Sequence, residues 1–176
     1  NKISYLGTKS EPWKVTLVDS GINTMTGSRI RKAKKFLQNE RFFLTYGDGV
    51  SNLNMNDQLK FHITNGGVVT MTSVQPDGRF GAFEADNDFK VKKFVEKPAG
   101  DGSWINGGYF ICEPDIFNYL DDGENVILEK EPLANLANDG KLFTFKHSGF
   151  WKCMDTLRDK RELDSLAKEK IIPWLN

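Results

Sequence analysis

The sequence has few cysteines, no long apolar run and no excess of charge of either sign. Cys112 and Cys153 are too few and too far apart for a disulfide scaffold or a zinc motif, so we expect reduced thiols in a cytoplasmic protein. No stretch approaches the ~20 apolar residues that a membrane-spanning helix needs, and the first residues do not resemble a signal peptide. With 24 basic and 24 acidic residues, the chain has no general attraction to nucleic acid or to an anionic membrane. Any anion-binding site must therefore be local.

The remaining composition is that of an ordinary globular protein. Hydrophobic residues make up 39% and charged residues 27% of the 176 residues, which is typical of a soluble domain with a hydrophobic core. We find no internal repeat, low-complexity segment or linker, so we predict one domain over residues 1–176. Because the chain starts at Asn1 without a recognisable first element, we expect this domain to be partial.

Apolar periodicity predicts alternating strands and helices in the first half of the chain. We predict strands at 15–18, 42–46 and 68–74 and helices at 28–38 and 54–65. The second strand is almost continuously apolar, as in a strand buried on both faces. Together with the second helix and the third strand it forms a strand–helix–strand unit, which favours a parallel pair with a right-handed crossover.

The second half of the chain has more closely spaced strands. The predicted strands are 80–85, 89–95, 104–112 and 142–145, and the predicted helices are 114–120, 132–138 and 156–168. Thr156 and Asp159 have the spacing of a capping box at the start of the last helix. The pattern predicts an α/β fold with a mixed, mostly parallel sheet flanked by helices.

Two aspartates are candidates for a metal site. Asp48 follows an apolar strand and lies between two glycines, which allow a ligand to approach the backbone, and Asp155 directly precedes the last helix. Two carboxylates at the ends of separate elements can share a hard cation such as Mg²⁺, which takes oxygen ligands and keeps several waters. The alternative for each residue taken alone is an aspartate in a turn.

Other polar residues stand where strands end or are interrupted. Glu96 and Lys97 precede a proline that ends a strand, and Lys97 could hold a phosphate as a point charge; a solvated strand end is the alternative. Asn106 and Gly107 lie inside an apolar strand next to a second glycine. Paired glycines there indicate a bulge or the close approach of a ligand, and the amide of Asn106 could bind sugar hydroxyls.

Three further candidates depend on loops. Arg79 follows a turn and could meet a phosphate, although an arginine in a turn is more often solvated. Thr26 and Gly27 precede a basic helix, where backbone N–H groups could receive an anion or a base edge; an ordinary helix cap is the alternative. His147 beside Ser148 does not indicate a hydrolase, because no Gly-x-Ser-x-Gly elbow accompanies the pair.

A series of short segments, in order and with natural spacing, covers the chain from about residue 11 to its end. It includes Tyr-Gly-Asp-Gly-Val at 46–50, Glu-Lys-Pro at 96–98 and Met-Asp-Thr-Leu-Arg-Asp-Lys at 154–160. The others are at 11–21, 25–30, 78–82, 105–110, 131–133 and 149–151. The ordered set resembles the glucose-1-phosphate cytidylyltransferases, a branch of the sugar-1-phosphate nucleotidyltransferase family.

The resemblance implies an activity and a set of site residues. Such enzymes join CTP and α-D-glucose 1-phosphate to give CDP-glucose and pyrophosphate, on the way to dideoxyhexoses of bacterial surface polysaccharides. Members of the family usually assemble, so the resemblance implies a homo-oligomer. Roles implied for this chain are Mg²⁺ binding by Asp48 and Asp155, sugar-phosphate binding by Lys97, sugar contacts by Gly81, Glu96, Asn106 and Gly107, and cytosine contacts by Thr26 and Gly27.

One departure from the resemblance affects the expected activity. Members of this family begin with a strand and a glycine-rich loop of the Gly-Gly-x-Gly-Thr-Arg type, whose backbone N–H groups hold the nucleotide phosphates, and these 176 residues contain no such run. We therefore expect negligible turnover of CTP by this chain alone. Three alternatives stay open: a non-catalytic remnant that binds a sugar phosphate or serves as an assembly partner, an enzyme for another nucleotide, and a metal-dependent glycosyltransferase.

Overall fold

The computed structural model describes residues 13–76, 82–95 and 103–175 of the chain. Four of the predicted site residues, Arg79, Gly81, Glu96 and Lys97, lie outside these ranges. The α-helices of the described part are α1 (Thr26–Ala33), α2 (Met55–Asn65), α3 (Glu131–Asn138) and α4 (Leu157–Lys168). Short 3₁₀ segments follow at Lys34–Phe36, Pro114–Asn118 and Pro173–Leu175. None of the helices in these ranges has the length and apolar character to cross a membrane.

The strands of the described part form one four-stranded sheet and two ribbons. They are β1 (Phe42–Thr45), β2 (Gly49–Ser51), β3 (Val69–Val74), β4 (Ala82–Ala85), β5 (Val91–Val95), β6 (Ile105–Cys112), β7 (Leu142–Lys146) and β8 (Trp151–Cys153). The sheet has the order β1-β6-β3-β7, while β2 pairs with β8 and β4 pairs with β5.

The predicted mixed sheet flanked by helices is confirmed, with one correction to its strand pairing. Strand β6 is antiparallel to both β1 and β3, and β7 is parallel to β3, so three of the four strands point the same way. However, β6 lies between β1 and β3, so the parallel pair expected from the strand–helix–strand unit does not form, and β3–β7 is the parallel pair of the described sheet. Strand β6 has eight residues and pairs with a neighbour on each side. Its residues from Phe110 to Cys112 are buried, as suits a central strand.

Two other strand predictions differ from the structure. Residues 15–18 form no strand, because their side chains find no apolar surface to cover; Val15 and Leu17 are 72% and 84% exposed. Strand β1 is confirmed, but it is not buried on both faces, since its side chains alternate and Phe43 is exposed. Strand β1 lies at an edge of the described sheet, and the alternation shows that one of its faces is directed toward solvent.

The core lies between the sheet, α3 and the segment that follows β6. Its members are buried apolar side chains from every layer: Ile30, Val68, Val69, Phe110, Cys112, Ile116, Phe117, Leu120, Leu128 and Leu136. Helix α2 begins with the side chain of Asn54, which accepts hydrogen bonds from the backbone N–H groups of residues 56 and 57, and ends at Gly66 in the left-handed conformation. The predicted capping box of α4 is present, with Thr156 and Asp159 bonded to each other's backbone.

A buried histidine joins α2 to the sheet. His62 is 1% exposed; its Nδ1 lies 2.7 Å from Thr70 Oγ1 and its Nε2 lies 3.1 Å from Glu113 Oε1. Arg41 donates to the same Glu113 oxygen at 2.7 Å. Burial lowers the pKa of His62, although Glu113 partly offsets the effect. Burial acts to raise the pKa of Glu113, but the hydrogen bonds from Arg41 and His62 prevail and lower it.

We expect His62 to make the protein less stable as the pH falls below about 6.5, the pKa of a histidine in an unfolded chain. Below that value the unfolded chain takes up a proton that buried His62 does not, so the free energy of unfolding decreases. The variant His62→Gln keeps hydrogen-bonding atoms but does not titrate, so its loss of stability between pH 6.5 and 5 should be smaller. Denaturant unfolding across this pH range measures the difference. Parallel pH curves for the two proteins would contradict the assignment.

Candidate active site

The ribbon of β2 and β8 brings the two predicted metal ligands to one end of the sheet. Gly49 pairs with Cys153 in the antiparallel register, and the backbone N–H of Met154 donates to the carbonyl of Asp48 at 2.8 Å. Asp48, directly before β2, and Asp155, shortly after β8, therefore lie at the same end of the ribbon. Neither strand was predicted, because three residues are too few to show the alternating pattern of a strand.

Two aromatic side chains attach this ribbon to β6. The hydroxyl of Tyr109 donates to the Gly49 carbonyl at 2.9 Å, and the indole Nε1 of Trp151 donates to the Gly107 carbonyl at 2.7 Å. The donor of the first bond is in the sheet, and the donor of the second bond is in the ribbon. The positions of the two aspartates relative to β6 are thus set by two hydrogen bonds that sequence analysis did not anticipate.

A cavity of about 540 Å³ opens at this end of the sheet. Four of the predicted site residues line it: Asp48, Asn106, Gly107 and Asp155. Further lining comes from the end of β1, from β6 and from the β8–α4 connection, and includes Thr45, Tyr46, Gly108, Tyr109, Trp151, Lys152, Cys153 and Asp159. Residues far apart in sequence, at 48, 106–107 and 155, are therefore brought to one site.

The carboxylates at this cavity suit a hard cation that keeps part of its water shell. Both Asp48 and Asp155 are exposed, and among the described residues no group of three or more Asp, Glu, His or Cys side chains is placed to hold a metal. Two carboxylate ligands leave positions for water and phosphate oxygens, as Mg²⁺ prefers. The Cys153 thiol donates to Asp155 Oδ2 at 3.2 Å, and burial together with this aspartate raises the pKa of Cys153 to about 11. The sulfur therefore stays a thiol.

Asn106 is held in one orientation at the cavity. Its Oδ1 accepts from the Gly108 backbone N–H at 2.8 Å, and its Nδ2 donates to the Tyr46 hydroxyl at 3.2 Å. One amide N–H and one oxygen lone pair remain for a ligand. That combination suits a sugar hydroxyl, which both donates and accepts.

The two glycines beside Asn106 let neighbouring side chains approach the backbone. The pairing of β3 with β6 shifts register between Met71 and Ser73, so the predicted irregularity is present. Gly108 has φ +78°, and a Cβ built there would lie 2.7 Å from Cδ2 of Tyr46. A Cβ at Gly107 would lie 3.0 Å from a methyl group of Val74. The side chains of Tyr46 and Val74 therefore fill the space that a Cβ would take at Gly108 and at Gly107.

Thr26 and Gly27 do not line the cavity. They begin α1 and contact the segment that precedes α3: the Gly27 N–H donates to the Val126 carbonyl at 2.9 Å, and Gly27 is buried. Thr26 Oγ1 donates to Glu129 Oε2 at 2.7 Å and accepts from the Leu128 N–H at 2.9 Å. A contact of these residues with cytosine stays a prediction, and the Thr26 hydroxyl and the Gly27 N–H are engaged within the chain.

The match to known protein families fits this geometry. The family model for the nucleotidyl transferases matches residues 14–156. The chain belongs to the nucleotidyl transferase family. It is 42% identical over 175 residues to a glucose-1-phosphate cytidylyltransferase of Salmonella typhi, with 99% of this chain and 67% of that protein covered. The resemblance inferred from the sequence is thereby confirmed.

Solved structures of other proteins share the fold. A crystal structure of HddC from Yersinia pseudotuberculosis matches with a TM-score of 0.60 at 22% identity. A UDP-glucose pyrophosphorylase complexed with UDP-glucose matches with a TM-score of 0.61 at 16% identity. The chain spans 63% of the first structure and 65% of the second, while 85% and 87% of the chain are covered. At these identities the likeness concerns the fold.

Proposed function

We propose that the protein, in a full-length form that carries the glycine-rich loop absent from these 176 residues, transfers the cytidylyl group of CTP to α-D-glucose 1-phosphate, giving CDP-glucose and pyrophosphate. The observation that carries this proposal is one cavity lined by two exposed aspartates, by the oriented amide of Asn106 and by Gly107. The carboxylates suit a metal-bound triphosphate, and the amide suits a sugar. The 42% identity to a glucose-1-phosphate cytidylyltransferase over nearly the whole chain favours CTP and glucose 1-phosphate as the pair. The product would serve nucleotide-sugar and surface polysaccharide biosynthesis.

The proposed reaction is a single in-line displacement. A phosphate oxygen of glucose 1-phosphate forms a bond to the α-phosphorus of CTP while the bond from that phosphorus to the bridging oxygen breaks, and pyrophosphate leaves with the electron pair. No covalent bond to the protein is needed. Catalysis then depends on holding the two substrates in line and on neutralising charge.

On the metal side, the proposed ligands are Asp48 and Asp155. A bound Mg²⁺ would supply neutralisation of the triphosphate and of the departing pyrophosphate. The backbone bond from Met154 to Asp48 and the capping box after Asp155 hold the main chain of both aspartates at one end of the ribbon. Such fixed placement is what electrostatic stabilisation of a transition state requires.

On the sugar side, Asn106 and the backbone of Gly107 are proposed to bind glucose hydroxyls. On the resemblance, Glu96 and Gly81 are proposed to join them, Lys97 to face the sugar phosphate, and Thr26 and Gly27 to contact cytosine. Arg79 is proposed to meet a phosphate because it follows a turn in the sequence. The described strand β5 ends at Val95, directly before Glu96 and Lys97. A cytoplasmic location and a homo-oligomeric state also belong to the proposal, and the free thiols of Cys112 and Cys153 agree with a reducing compartment.

We expect Lys97→Gln to raise the KM for glucose 1-phosphate about 10-fold or more while the KM for CTP changes little. A charge-assisted contact is worth about 1.5–3 kcal/mol, or roughly 10- to 150-fold in affinity. Steady-state kinetics of the full-length protein with each substrate varied in turn make the comparison. The matched control is Lys93→Gln, because Lys93 is an exposed lysine on β5 that pairs with Glu84 at 3.8 Å. Equal changes in both KM values would remove Lys97 from the sugar-phosphate site.

Nucleotide choice tests the proposed function as a whole. Pyrophosphate release by the full-length protein is measured with Mg²⁺, glucose 1-phosphate and CTP, and then with UTP, dTTP, GTP or ATP in place of CTP. The proposal expects CTP to give the highest kcat/KM and expects no release when glucose 1-phosphate is omitted. A preference for another nucleotide, or release without sugar phosphate, would overturn it.

A further inference from the structure

A chain of hydrogen bonds runs from the start of α1 to the cavity through a glutamate that sequence analysis did not single out. Glu129 accepts from Thr26 Oγ1 through Oε2 at 2.7 Å and from the Tyr46 hydroxyl through Oε1. Tyr46 in turn accepts from Asn106 Nδ2 at 3.2 Å. The bonds join residues 26, 46, 106 and 129, which come from α1, the end of β1, β6 and the segment before α3.

The direction of every bond in this chain is fixed by chemistry. A carboxylate can only accept, so each hydroxyl must give its single proton to Glu129. The Tyr46 oxygen can then only accept from Asn106, so the amide must turn its nitrogen toward Tyr46. The other end of the amide agrees, because Oδ1 accepts from the Gly108 N–H at 2.8 Å.

We propose that Glu129 and Tyr46 are positioning residues that orient the Asn106 amide for the sugar. The inference rests on the proposed function, in which Asn106 binds glucose hydroxyls. If Tyr46 lost its hydroxyl, one amide N–H would lose its partner and only the Gly108 bond would hold the side chain. If Glu129 lost its acceptors, the Tyr46 proton could turn toward Asn106 and oppose the required orientation.

Kinetics with both substrates test this role. In the full-length protein we expect Tyr46→Phe and Glu129→Leu each to raise the KM for glucose 1-phosphate about 5- to 10-fold, the scale of one lost hydrogen bond. For Tyr46→Phe the KM for CTP should change less than about 2-fold; Glu129→Leu also removes the partner of Thr26, so its KM for CTP is not part of the test. Glu129→Gln keeps one acceptor oxygen and should recover most of the loss. The matched controls are Tyr119→Phe and Asp139→Leu, because the Tyr119 hydroxyl donates to Asp139 Oδ2 at 2.8 Å outside the cavity. These controls should leave both KM values unchanged.

A double variant shows whether Tyr46 acts through Asn106. If it does, adding Tyr46→Phe to Asn106→Ser causes little further increase in the KM for glucose 1-phosphate, whereas independent effects would multiply. The inference would be overturned if the effects of Tyr46→Phe and Asn106→Ser on the KM for glucose 1-phosphate multiplied. It would also be overturned if Tyr46→Phe raised both KM values equally or had no effect.

A readout without turnover separates this inference from the proposed function. The side-chain NH₂ signals of Asn106 in a ¹⁵N–¹H spectrum, assigned by their loss in Asn106→Ser, should shift in Tyr46→Phe and in Glu129→Leu but not in Tyr119→Phe. Unshifted signals would exclude the hydrogen-bond chain whatever the enzyme's activity. If the signals shift in a protein that does not use glucose 1-phosphate, the hydrogen-bond chain stands, but the proposed function fails and the sugar-orienting role falls with it.

Discussion

Replacing either cavity aspartate by asparagine should lower kcat by about 100-fold or more. Asp48→Asn and Asp155→Asn each remove one of the two carboxylates at the cavity while keeping their size, and the loss of one fixed electrostatic contact in a transition state has that scale. Because both side chains are exposed, the thermal midpoint should change little. Initial rates of pyrophosphate release, measured across a Mg²⁺ titration, give the result.

The matched control for this prediction is Asp115→Asn, since Asp115 is an exposed aspartate outside the cavity. It should retain the kcat and Mg²⁺ dependence of the unchanged enzyme. A cavity variant with normal turnover at limiting Mg²⁺ would remove that aspartate from the metal site. A large loss in the control would mean that carboxylates in general, rather than these two, affect the assay.

Gly108→Ala should be the most damaging single methyl addition at the site. A non-glycine residue at φ +78° is strained by about 1–2 kcal/mol. The added methyl group would also lie 2.7 Å from the Tyr46 ring, and such overpacking typically costs about 1–3 kcal/mol more. Displacing Tyr46 should also loosen Asn106, so the KM for glucose 1-phosphate should rise together with the loss of stability. Urea unfolding and steady-state kinetics measure the two effects.

Gly140→Ala separates the two causes. Gly140 has φ +65°, but no atom of the described residues beyond its chain neighbours lies within 4 Å of a Cβ built there, so the alanine should show the backbone strain without the clash. We expect a destabilisation of about 1–2 kcal/mol and an unchanged KM for glucose 1-phosphate. If Gly108→Ala destabilised the protein no more than Gly140→Ala, the contact with Tyr46 would not constrain the site.

The fold class could be predicted from the sequence because long elements show their periodicity over many residues. Helix α2 with its Gly66 end, the β4–β5 hairpin and the capping box at Thr156 all follow from local signals. The order of strands could not be predicted in the same way. The position of β6 between β1 and β3 depends on pairing over long separations, and no local pattern records it.

Part of the candidate site could also be predicted from local signals in the sequence. Asp48, Asn106, Gly107 and Asp155 could be named from their unusual neighbours, and the structure gathers them at one cavity. Tyr46 and Glu129 could not, because neither stands out locally and their connection spans 83 residues of sequence. The one local signal for Tyr46 is its position two residues before Asp48. Residues 15–18 gave the opposite error, since β-branched residues there predicted a strand that does not form.

The most direct test of the proposed reaction is ³¹P NMR of the full-length protein with CTP, glucose 1-phosphate and Mg²⁺. The account predicts that the signals of both substrates are replaced in equal amounts by those of CDP-glucose and pyrophosphate, and that the double variant Asp48→Asn/Asp155→Asn shows almost no conversion. Formation of CMP in place of CDP-glucose, or unchanged conversion by the double variant, would contradict it.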